Sequence, residues 1–230
     1  MDIRCITFDL DDTLWAIAPV IMRAEQRVYD WLDRHYPLIT AGHSLQTLIE
    51  QRTAYMREYP DLHHDLTRLR KQWLGHVAEA AGYEPALAEP AFEVFWEARN
   101  QVEVFPEALD ALDALGSVYR IGAITNGNAD VHRIGIGHHF DFVLYAAGVG
   151  AAKPHRDIFL AALEHTGLDA AEVVHVGDDP ACDVMGAAAV GMRTVWVNSA
   201  GRDWDGPGME PDAVISGLGE LEAVLSGWAG

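Results

Sequence analysis

Basic residues are scarce in this sequence, which has 16 lysines and arginines against 35 aspartates and glutamates and a formal net charge of −19 at pH 7. Proteins that bind nucleic acids or anionic membranes present basic faces to them, so the sequence predicts neither kind of partner. The same net charge opposes the approach of an anionic small molecule. Such a substrate would therefore need local positive charge or a metal ion at its binding site.

Cysteine and long apolar runs are also lacking. Cys5 lies in a predicted buried strand and Cys182 beside an acidic loop, so we interpret both as thiols of a reducing compartment and not as a disulfide framework. No charged-then-apolar signal precedes the first predicted strand, and no apolar run approaches the roughly 18 residues of a membrane span. These absences predict a soluble, cytoplasmic protein.

Half of the 230 residues are hydrophobic, which is enough for an α/β core and a smaller appended domain. After Trp15 the apolar spacing is helical as far as about Val102. The predicted helices of this stretch begin at Pro19, at Leu45 after Ser44 as N-cap, at Asp61 and at Pro85. Beyond it, helices and strands alternate, which is typical of a parallel sheet with right-handed crossovers. We predict a Rossmann-like doubly wound α/β core of residues 1–15 and 103–230, with a helical bundle of residues 16–102 inserted.

The first strand, predicted over Ile3–Phe8, leads directly into three carboxylates within four residues. Close carboxylates repel by roughly 4 kcal/mol per pair at an effective dielectric of about 20, unless a cation such as Mg²⁺ lies among them. Asp9 and Asp11 can both face the space beyond the strand, with Asp9 as a nucleophile and Asp11 as a general acid and base. A calcium loop or a helix cap would explain the same acids, so this motif alone predicts no single function.

Two further strand ends carry polar groups that suit an anion. Thr125, Asn126 and Gly127 follow a predicted strand, and backbone N–H groups with the Thr hydroxyl can form an anion nest, although Asn-Gly is also typical of a plain turn. Lys153 precedes a predicted helix, where a cation opposes the helix dipole unless an anion lies nearby. An exposed lysine is the alternative interpretation.

A second acidic cluster follows the short apolar strand Val173–Val176 and consists of Asp178, Asp179 and Asp183. Its carboxylates repel one another as those of the first motif do, and one shared cation would offset the repulsion in both clusters. In open α/β sheets the ligand site lies beyond the carboxyl ends of the strands. We therefore expect both acidic clusters, the anion nest and the lysine to meet at one edge of the sheet.

Together these motifs resemble those of the haloacid dehalogenase (HAD) superfamily of phosphohydrolases. Phe-Asp-Leu-Asp-Asp-Thr-Leu, at Phe8–Leu14, is similar to the first motif of the superfamily, DxDx[TV], and the threonine, lysine and second acidic cluster follow in the superfamily's order. The helical insert resembles the superfamily's helical cap of the first type. The resemblance covers nearly the whole chain and implies a Mg²⁺-dependent phosphatase acting on a small phosphorylated molecule.

The resemblance also implies roles for the residues of the first motif and for the lysine. Asp9 would attack the phosphorus in line and become an aspartyl-phosphate. Asp11 would protonate the leaving alkoxide, then activate water to hydrolyse the intermediate, and its backbone carbonyl would bind Mg²⁺. Lys153 would pair with Asp9 and with the phosphate.

Phosphate and metal binding are implied for the remaining motif residues. Thr125, helped by backbone N–H groups around Asn126 and Gly127, would hold the phosphoryl oxygens. The other implied metal ligands are Asp9 and Asp178, with Asp179 and Asp183 binding or orienting the metal shell.

Five segments look most like the bacterial flavin mononucleotide phosphatase branch, which hydrolyses flavin mononucleotide and the phosphorylated ribityl-pyrimidine of riboflavin synthesis. These segments are Phe8–Leu14, Pro19–Arg23, Asp65–Arg68, Ala123–Ala129 and His175–Asp179. The resemblance implies that the insert closes over the site and selects the substrate. Trp15 would stack on the ring, and Arg68 or Arg70 would contact ribityl or phosphate oxygens. Residues two apart on a helix point in directions that differ by about 200°, so only one of the two arginines would face the site. The alternative interpretation is that both arginines are solvated surface charges.

Other functions fit parts of the pattern. A 2-haloacid dehalogenase shares the fold and the aspartate nucleophile but needs neither a general acid nor Mg²⁺, so Asp11 and Asp178 count against it. A receiver-type signalling module would be much shorter, and a catalytically dead binding protein would lack a motif residue, whereas none is missing. Sugar phosphates and nucleotides are alternative substrates. The sequence fits a monomer but does not predict the oligomeric state.

Overall fold

The computed structural model describes residues 2–204, 206 and 208–228. Its contacts divide the chain into two compact units. The α/β unit contains the chain up to Ala16, Glu103–Gly127 and the chain from Gly135 onward, and the helical unit contains Ile17–Val102 and Asn128–Ile134. Among the described residues, no helix has both the length and the apolar character that crossing a membrane requires.

The described strands form one six-stranded parallel sheet in the order β3-β2-β1-β4-β5-β6. They are β1 (Cys5–Phe8), β2 (Arg120–Thr125), β3 (Phe142–Tyr145), β4 (Val173–Gly177), β5 (Arg193–Val197) and β6 (Ala213–Ile215). The α-helices are α1 (Ile17–His35), α2 (Pro37–Thr40), α3 (Leu45–Arg57), α4 (Leu66–Ala80), α5 (Ala88–Arg99), α6 (Pro106–Gly116), α7 (Val131–Ile134), α8 (Ala146–Val149), α9 (Arg156–Thr166), α10 (Gly186–Ala188) and α11 (Leu221–Trp228). The predicted parallel α/β architecture is confirmed.

The sheet order explains why the predicted motifs meet. Every residue of β1 and β4 is buried, as expected for parallel strands that are covered on both faces. The chain adds β2 and β3 on one side of β1 and the later strands on the other, so the strand order reverses beside β1. Ligands of open α/β sheets bind beyond the carboxyl ends of the strands at such a reversal. The residues that follow β2, β1 and β4 are therefore neighbours.

The helical unit has its own hydrophobic core, as the helical apolar spacing of this stretch predicts. Its buried members include Ala24, Val28, Leu32, Leu48, Trp73, Leu74, Phe92 and Phe95. The segment Asn128–Ile134 joins this unit, although the predicted boundaries placed it in the α/β core. The Trp96 indole donates to the Asn128 carbonyl at 3.1 Å, and the Asp130 N–H donates to the Asn100 side chain at 2.6 Å. Such long-range bonds leave no periodic trace in the sequence.

Two helices of the helical unit begin later than predicted. The helix predicted from Pro85 begins as the 3₁₀ turn Pro85–Leu87, and α5 itself starts at Ala88. The other helix is α4.

Ser44 caps α3 as predicted, since its Oγ accepts a backbone N–H of the first turn at 3.1 Å. In contrast, α4 begins after Asp65 and not at Asp61. The Asp65 carboxylate accepts the Arg68 N–H at 2.9 Å, and Pro60–Leu62 forms a separate 3₁₀ turn. Two aspartates lie close together here, and the one that caps the helix sets its start.

Candidate active site

Asp9 lies directly after β1, where its backbone N–H donates to the Val176 carbonyl at 2.9 Å. This bond extends the pairing of β1 with β4 and fixes the backbone beneath the carboxyl group. Only 9% of Asp9 is exposed, and burial raises its pKa to about 8 even though Lys153 acts to lower it. The Lys153 ammonium lies 2.5 Å from Asp9 Oδ1, so the structure brings these two predicted site residues together.

Lys153 is one of two lysines in the sequence, and its side chain is only 2% exposed. Its ammonium also lies 2.7 Å from Asp183 Oδ1. Burial by itself would lower the pKa of Lys153, but Asp183 and Asp9 outweigh burial and raise it above its ordinary value. The lysine is therefore a permanent positive charge at the end of β1, which an anionic substrate needs in so acidic a protein.

The side chain of Asn126 holds the loop that carries Lys153. Its Nδ2 donates to the Lys153 carbonyl at 2.9 Å, and its Oδ1 accepts the Lys153 N–H at 2.7 Å. Next to it, the Thr125 Oγ1 accepts the Gly127 N–H at 2.9 Å. In this structure that bond engages the Gly127 N–H, and the contribution of Gly127 to an anion nest stays a prediction. The Thr125 hydroxyl still has its own hydrogen to donate to a phosphoryl oxygen.

Asp183 is the centre of a buried network of hydrogen bonds near the carboxyl end of β4. Its Oδ1 accepts from His175 Nε2 at 3.1 Å as well as from Lys153, and its Oδ2 accepts the Asp179 N–H at 3.0 Å. Burial acts to raise the pKa of Asp183, but Lys153 and His175 hold it below its usual range. His175 Nδ1 lies 2.9 Å from Thr7 Oγ1. Because burial lowers the pKa of His175 and keeps the ring neutral, Nε2 carries the hydrogen and Nδ1 accepts from Thr7.

The second acidic cluster divides into two metal-ligand candidates and one cap. Asp9, Asp178 and Asp183 each offer a carboxylate oxygen, and these atoms lie within 4.8 Å of one another. Asp179 Oδ1 instead accepts two backbone N–H groups of the following turn, at 2.8 and 2.7 Å. Its own N–H donates to Asp183 Oδ2, which fits the predicted alternative that Asp179 orients the metal shell. Gly177 permits this packing, since a Cβ there would lie 2.3 Å from Asp183 Cγ.

The donor set suits a hard divalent cation. Burial, followed by the charges of Asp183 and Asp12, raises the pKa of Asp178 to about 7, and the pKa of Asp9 is also raised. Both shifts arise first from burial of the carboxyl groups, and the neighbouring carboxylates add to it. Oxygen ligands of this kind are those that Mg²⁺ prefers. The Asp11 carboxylate is not part of the cluster, which leaves its backbone carbonyl as its predicted metal contact.

Asp11 accepts a hydrogen bond from the indole of Trp15, with Nε1 2.8 Å from Oδ1. Between them the chain reverses at Asp12, whose φ is +59° and whose N–H donates to the Trp15 carbonyl at 2.8 Å. Trp15 is entirely buried. Its ring therefore presents no exposed face to a ligand, and the predicted stacking on a substrate ring is wrong.

Arg70 is buried inside the helical unit. It makes two hydrogen bonds to the Glu25 carboxylate, of 2.7 and 3.2 Å, and its guanidinium carbon lies 3.4 Å from the centre of the Phe95 ring. Arg52 also contacts Glu25, at 3.1 Å. Arg70 is therefore neither a substrate contact nor a solvated charge, and both interpretations of it are wrong. Arg68 is exposed and stays a predicted substrate contact.

We expect Arg70→Ala to lower the free energy of unfolding by about 3 kcal/mol, the lower end of the range for breaking a buried ion pair, because Arg52 still compensates part of the Glu25 charge. Arg68→Ala is the matched control on the same helix and should change it by no more than about 0.5 kcal/mol. Urea unfolding followed by circular dichroism measures both. Equal, small losses in the two variants would contradict the structural role of Arg70.

The comparisons with known proteins agree on one family. Residues 3–191 match the family described as haloacid dehalogenase-like hydrolase. The chain is 33% identical over 97% of its length, and over 96% of the relative, to the Escherichia coli 5-amino-6-(5-phospho-D-ribitylamino)uracil phosphatase YigB. It is 34% identical to a Thermus thermophilus phosphoserine phosphatase over 66% of its length and 63% of the relative. A solved structure titled 2-haloacid dehalogenase, from Pseudomonas syringae pv. Tomato, superposes with a TM-score of 0.92 at 42% identity, covering 98% of this chain and 99% of that one.

Proposed function

Because the chain belongs to the haloacid dehalogenase-like hydrolases, as the match over residues 3–191 establishes, we propose that it is a Mg²⁺-dependent phosphatase of small phosphate monoesters. The observation that carries the proposal is the pair of carboxylates at the end of β1. Asp9 is paired with Lys153, while Asp11, two residues on, lies outside the metal-ligand cluster. A nucleophile and a separate acid are the two groups that cleavage of an ester with a poor leaving group requires.

The proposed reaction has two steps that use the same two carboxylates. In the first, an Asp9 oxygen bonds to phosphorus as the ester P–O bond breaks, and the leaving oxygen takes a proton from Asp11. In the second, the Asp11 carboxylate takes a proton from water as the water oxygen attacks phosphorus and the bond between phosphorus and the Asp9 oxygen breaks. This step releases inorganic phosphate and restores both aspartates. We propose that Lys153 and the Thr125 hydroxyl hold the phosphoryl oxygens, which agrees with the importance of positioning and charge neutralisation in phosphoryl transfer.

Mg²⁺ is the proposed cofactor. Asp9, Asp178 and Asp183 would hold it together with the Asp11 carbonyl, and the carboxylate cluster described above supports this donor set. When bound, the ion supplies positive charge that offsets both the carboxylates and the phosphoryl oxygens.

The proposed substrate is flavin mononucleotide or its ribityl-phosphate precursor. The support is the full-length similarity to a relative named as the phosphatase of 5-amino-6-(5-phospho-D-ribitylamino)uracil. On the helical unit, Arg68 is the exposed guanidinium that we propose contacts the polyol or phosphate.

Kinetics with a panel of phosphate monoesters tests the proposal. We expect kcat/KM for flavin mononucleotide or the ribityl-phosphate precursor to exceed that for sugar phosphates and nucleotides. Arg68→Ala should lower the preferred value but affect p-nitrophenyl phosphate less, and Arg57→Ala, another exposed arginine of the helical unit, is the control. A preference of tenfold or more for sugar phosphates or nucleotides, about 1.4 kcal/mol of transition-state binding, would overturn the substrate but not the phosphatase.

A 2-haloacid dehalogenase is the second candidate, and the structural neighbour with that title at 42% identity is the observation that favours it. Halide leaves without a proton, so this activity would give no role to Asp11 or to the carboxylate of Asp178. Chloride release from 2-chloropropionate measures it directly. Chloride release without phosphate release from any monoester would replace the phosphatase proposal.

A further inference from the structure

The peptide group between Asp178 and Asp179 is held at both ends by side chains. Its carbonyl, which belongs to Asp178, accepts the indole N–H of Trp196 at 2.9 Å and a guanidinium N–H of Arg202 at 3.2 Å. Its N–H, which belongs to Asp179, donates to Asp183 Oδ2 at 3.0 Å. Because a peptide group is planar and rigid, bonds at both ends fix its orientation, and with it the backbone from which the Asp178 side chain extends.

The same peptide group connects two of the three candidate metal ligands. Asp178 contributes its carbonyl, and the carboxylate that accepts its N–H is that of Asp183. A rotation of this peptide group would therefore shift Asp178 relative to Asp183. Mg²⁺ requires nearly octahedral geometry with bonds of about 2.1 Å, so a metal ion shared by the two carboxylates depends on their relative placement.

Trp196 is a rigid donor. It lies in β5, where it pairs with Gly177 at the end of β4, and only 2% of it is exposed. Its ring also packs edge to face against Trp204, with 5.3 Å between the ring centres. A buried ring of this size has little freedom to move, and an indole offers one N–H and no acceptor. That N–H is therefore held in one place against the Asp178 carbonyl.

Arg202 is exposed, but its backbone is held next to the same carbonyl. The Asn198 side chain donates to the Arg202 carbonyl at 2.7 Å and accepts the Arg202 N–H at 2.9 Å. Asn198 itself follows β5, and its N–H donates to the Ile215 carbonyl at the end of β6 at 2.8 Å. The sheet thus supplies both donors to the Asp178 carbonyl, one from β5 and one from the turn that follows it.

We propose that Trp196 and Arg202 are positioning residues of the metal site, which hold the Asp178 carbonyl so that the Asp178 carboxylate stays beside that of Asp183. The inference rests on the proposed Mg²⁺ site. Neither residue is itself a metal ligand, and neither exchanges a proton. Groups that orient metal ligands through hydrogen bonds typically contribute about 10- to 100-fold to metal affinity.

Calorimetric titration of the metal-free protein with Mg²⁺ tests the role of Trp196 without turnover. We expect Trp196→Phe to weaken Mg²⁺ binding about tenfold, the lower end of the range for such groups. Trp204→Phe is the matched control, because Trp204 packs against the same ring and its buried indole nitrogen has no hydrogen-bond partner among the described residues. It should leave the affinity nearly unchanged, and equal losses in the two variants would overturn the proposal.

Replacing Trp196 with 3-benzothienylalanine separates the hydrogen bond from the packing of the ring, because this residue keeps the shape of indole and has sulfur in place of N–H. It should weaken Mg²⁺ binding as Trp196→Phe does, even if the Phe variant is unstable, and thermal unfolding of the metal-free protein verifies the fold. Unchanged Mg²⁺ affinity in this isosteric variant would overturn the role of Trp196.

Arg202→Ala removes the second donor and should weaken Mg²⁺ binding less than Trp196→Phe, because its bond to the Asp178 carbonyl is longer and its side chain is exposed. Unchanged affinity would overturn the role of Arg202. A wild-type protein that binds no Mg²⁺ would overturn the metal site and this inference with it, whereas normal wild-type binding that none of these substitutions weakens would overturn this inference alone.

Discussion

Asp9→Asn is expected to abolish turnover while leaving the protein folded. An amide cannot form the aspartyl-phosphate, and Lys153 keeps Asp183 Oδ1 as a partner at 2.7 Å, so the buried ammonium stays compensated. Hydrolysis of p-nitrophenyl phosphate measures the activity, and thermal unfolding verifies the fold. We expect less than about one hundredth of wild-type activity, given the losses that follow removal of a covalent nucleophile.

The control for this variant is Asp12→Asn, three residues away. Asp12 is exposed and has a positive φ, which asparagine tolerates well, so most of the activity should remain. Acid quenching during turnover should also trap a phosphorylated aspartate in the wild type and none in Asp9→Asn. Retention of more than one hundredth of the activity, or an unchanged trapped intermediate, would remove Asp9 as the nucleophile.

The arrangement of strands and the convergence of Asp9, Lys153 and Asp183 follow from patterns that a sequence displays. Apolar runs predict buried strands, alternation with helices predicts a parallel sheet, and the topology then brings the residues after neighbouring strands together. The residue order along the chain was therefore enough to predict which groups share one edge. The distances of 2.5 and 2.7 Å from the lysine to its two carboxylates agree with that expectation.

Side-chain partners could not be predicted in the same way. Asn126 fastens the Lys153 backbone, and His175 lies between Thr7 and Asp183, through contacts that join distant parts of the chain. Periodicity tells which face a residue occupies but not which partner its polar atoms find. The only sequence signal for the network was a histidine within an otherwise apolar strand before the second acidic cluster.

Arg70 and Trp15 show the same limit of sequence patterns. In the preceding cases a contact was missed, whereas here a contact was predicted that the structure does not have. Arg70 and Trp15 carry groups that commonly bind ligands, and the resemblance implied a substrate contact for Trp15 and for one of Arg68 and Arg70. The structure instead pairs Arg70 with Glu25 and directs the Trp15 indole to Asp11. A buried charge or indole needs a partner within the protein, and its burial is decided by packing between elements that sequence spacing does not describe.

Removal of divalent metal with EDTA is expected to lower phosphatase activity at least about a hundredfold, equivalent to roughly 2.7 kcal/mol of transition-state stabilisation. Without a cation, burial raises the pKa of Asp9 to about 8 and that of Asp178 to about 7, so crowded carboxylates retain protons that a nucleophile must lose. Added Mg²⁺ should restore the activity. Ca²⁺ should inhibit, because it accepts longer bonds and more carboxylate oxygens and can engage both oxygens of Asp9.

Two neighbouring variants separate metal binding from general effects of charge. Asp178→Asn should raise the Mg²⁺ concentration needed for half-maximal activity by about tenfold or more, since ligand removal weakens metal affinity at least as much as loss of an outer-shell partner. Asp179→Asn should leave it nearly unchanged, because the Asp179 carboxylate caps the following turn and an asparagine oxygen can do the same. Titration of the metal-free protein with Mg²⁺ by calorimetry gives the affinity without turnover. Full activity in EDTA, or equal shifts in the two variants, would contradict the metal site.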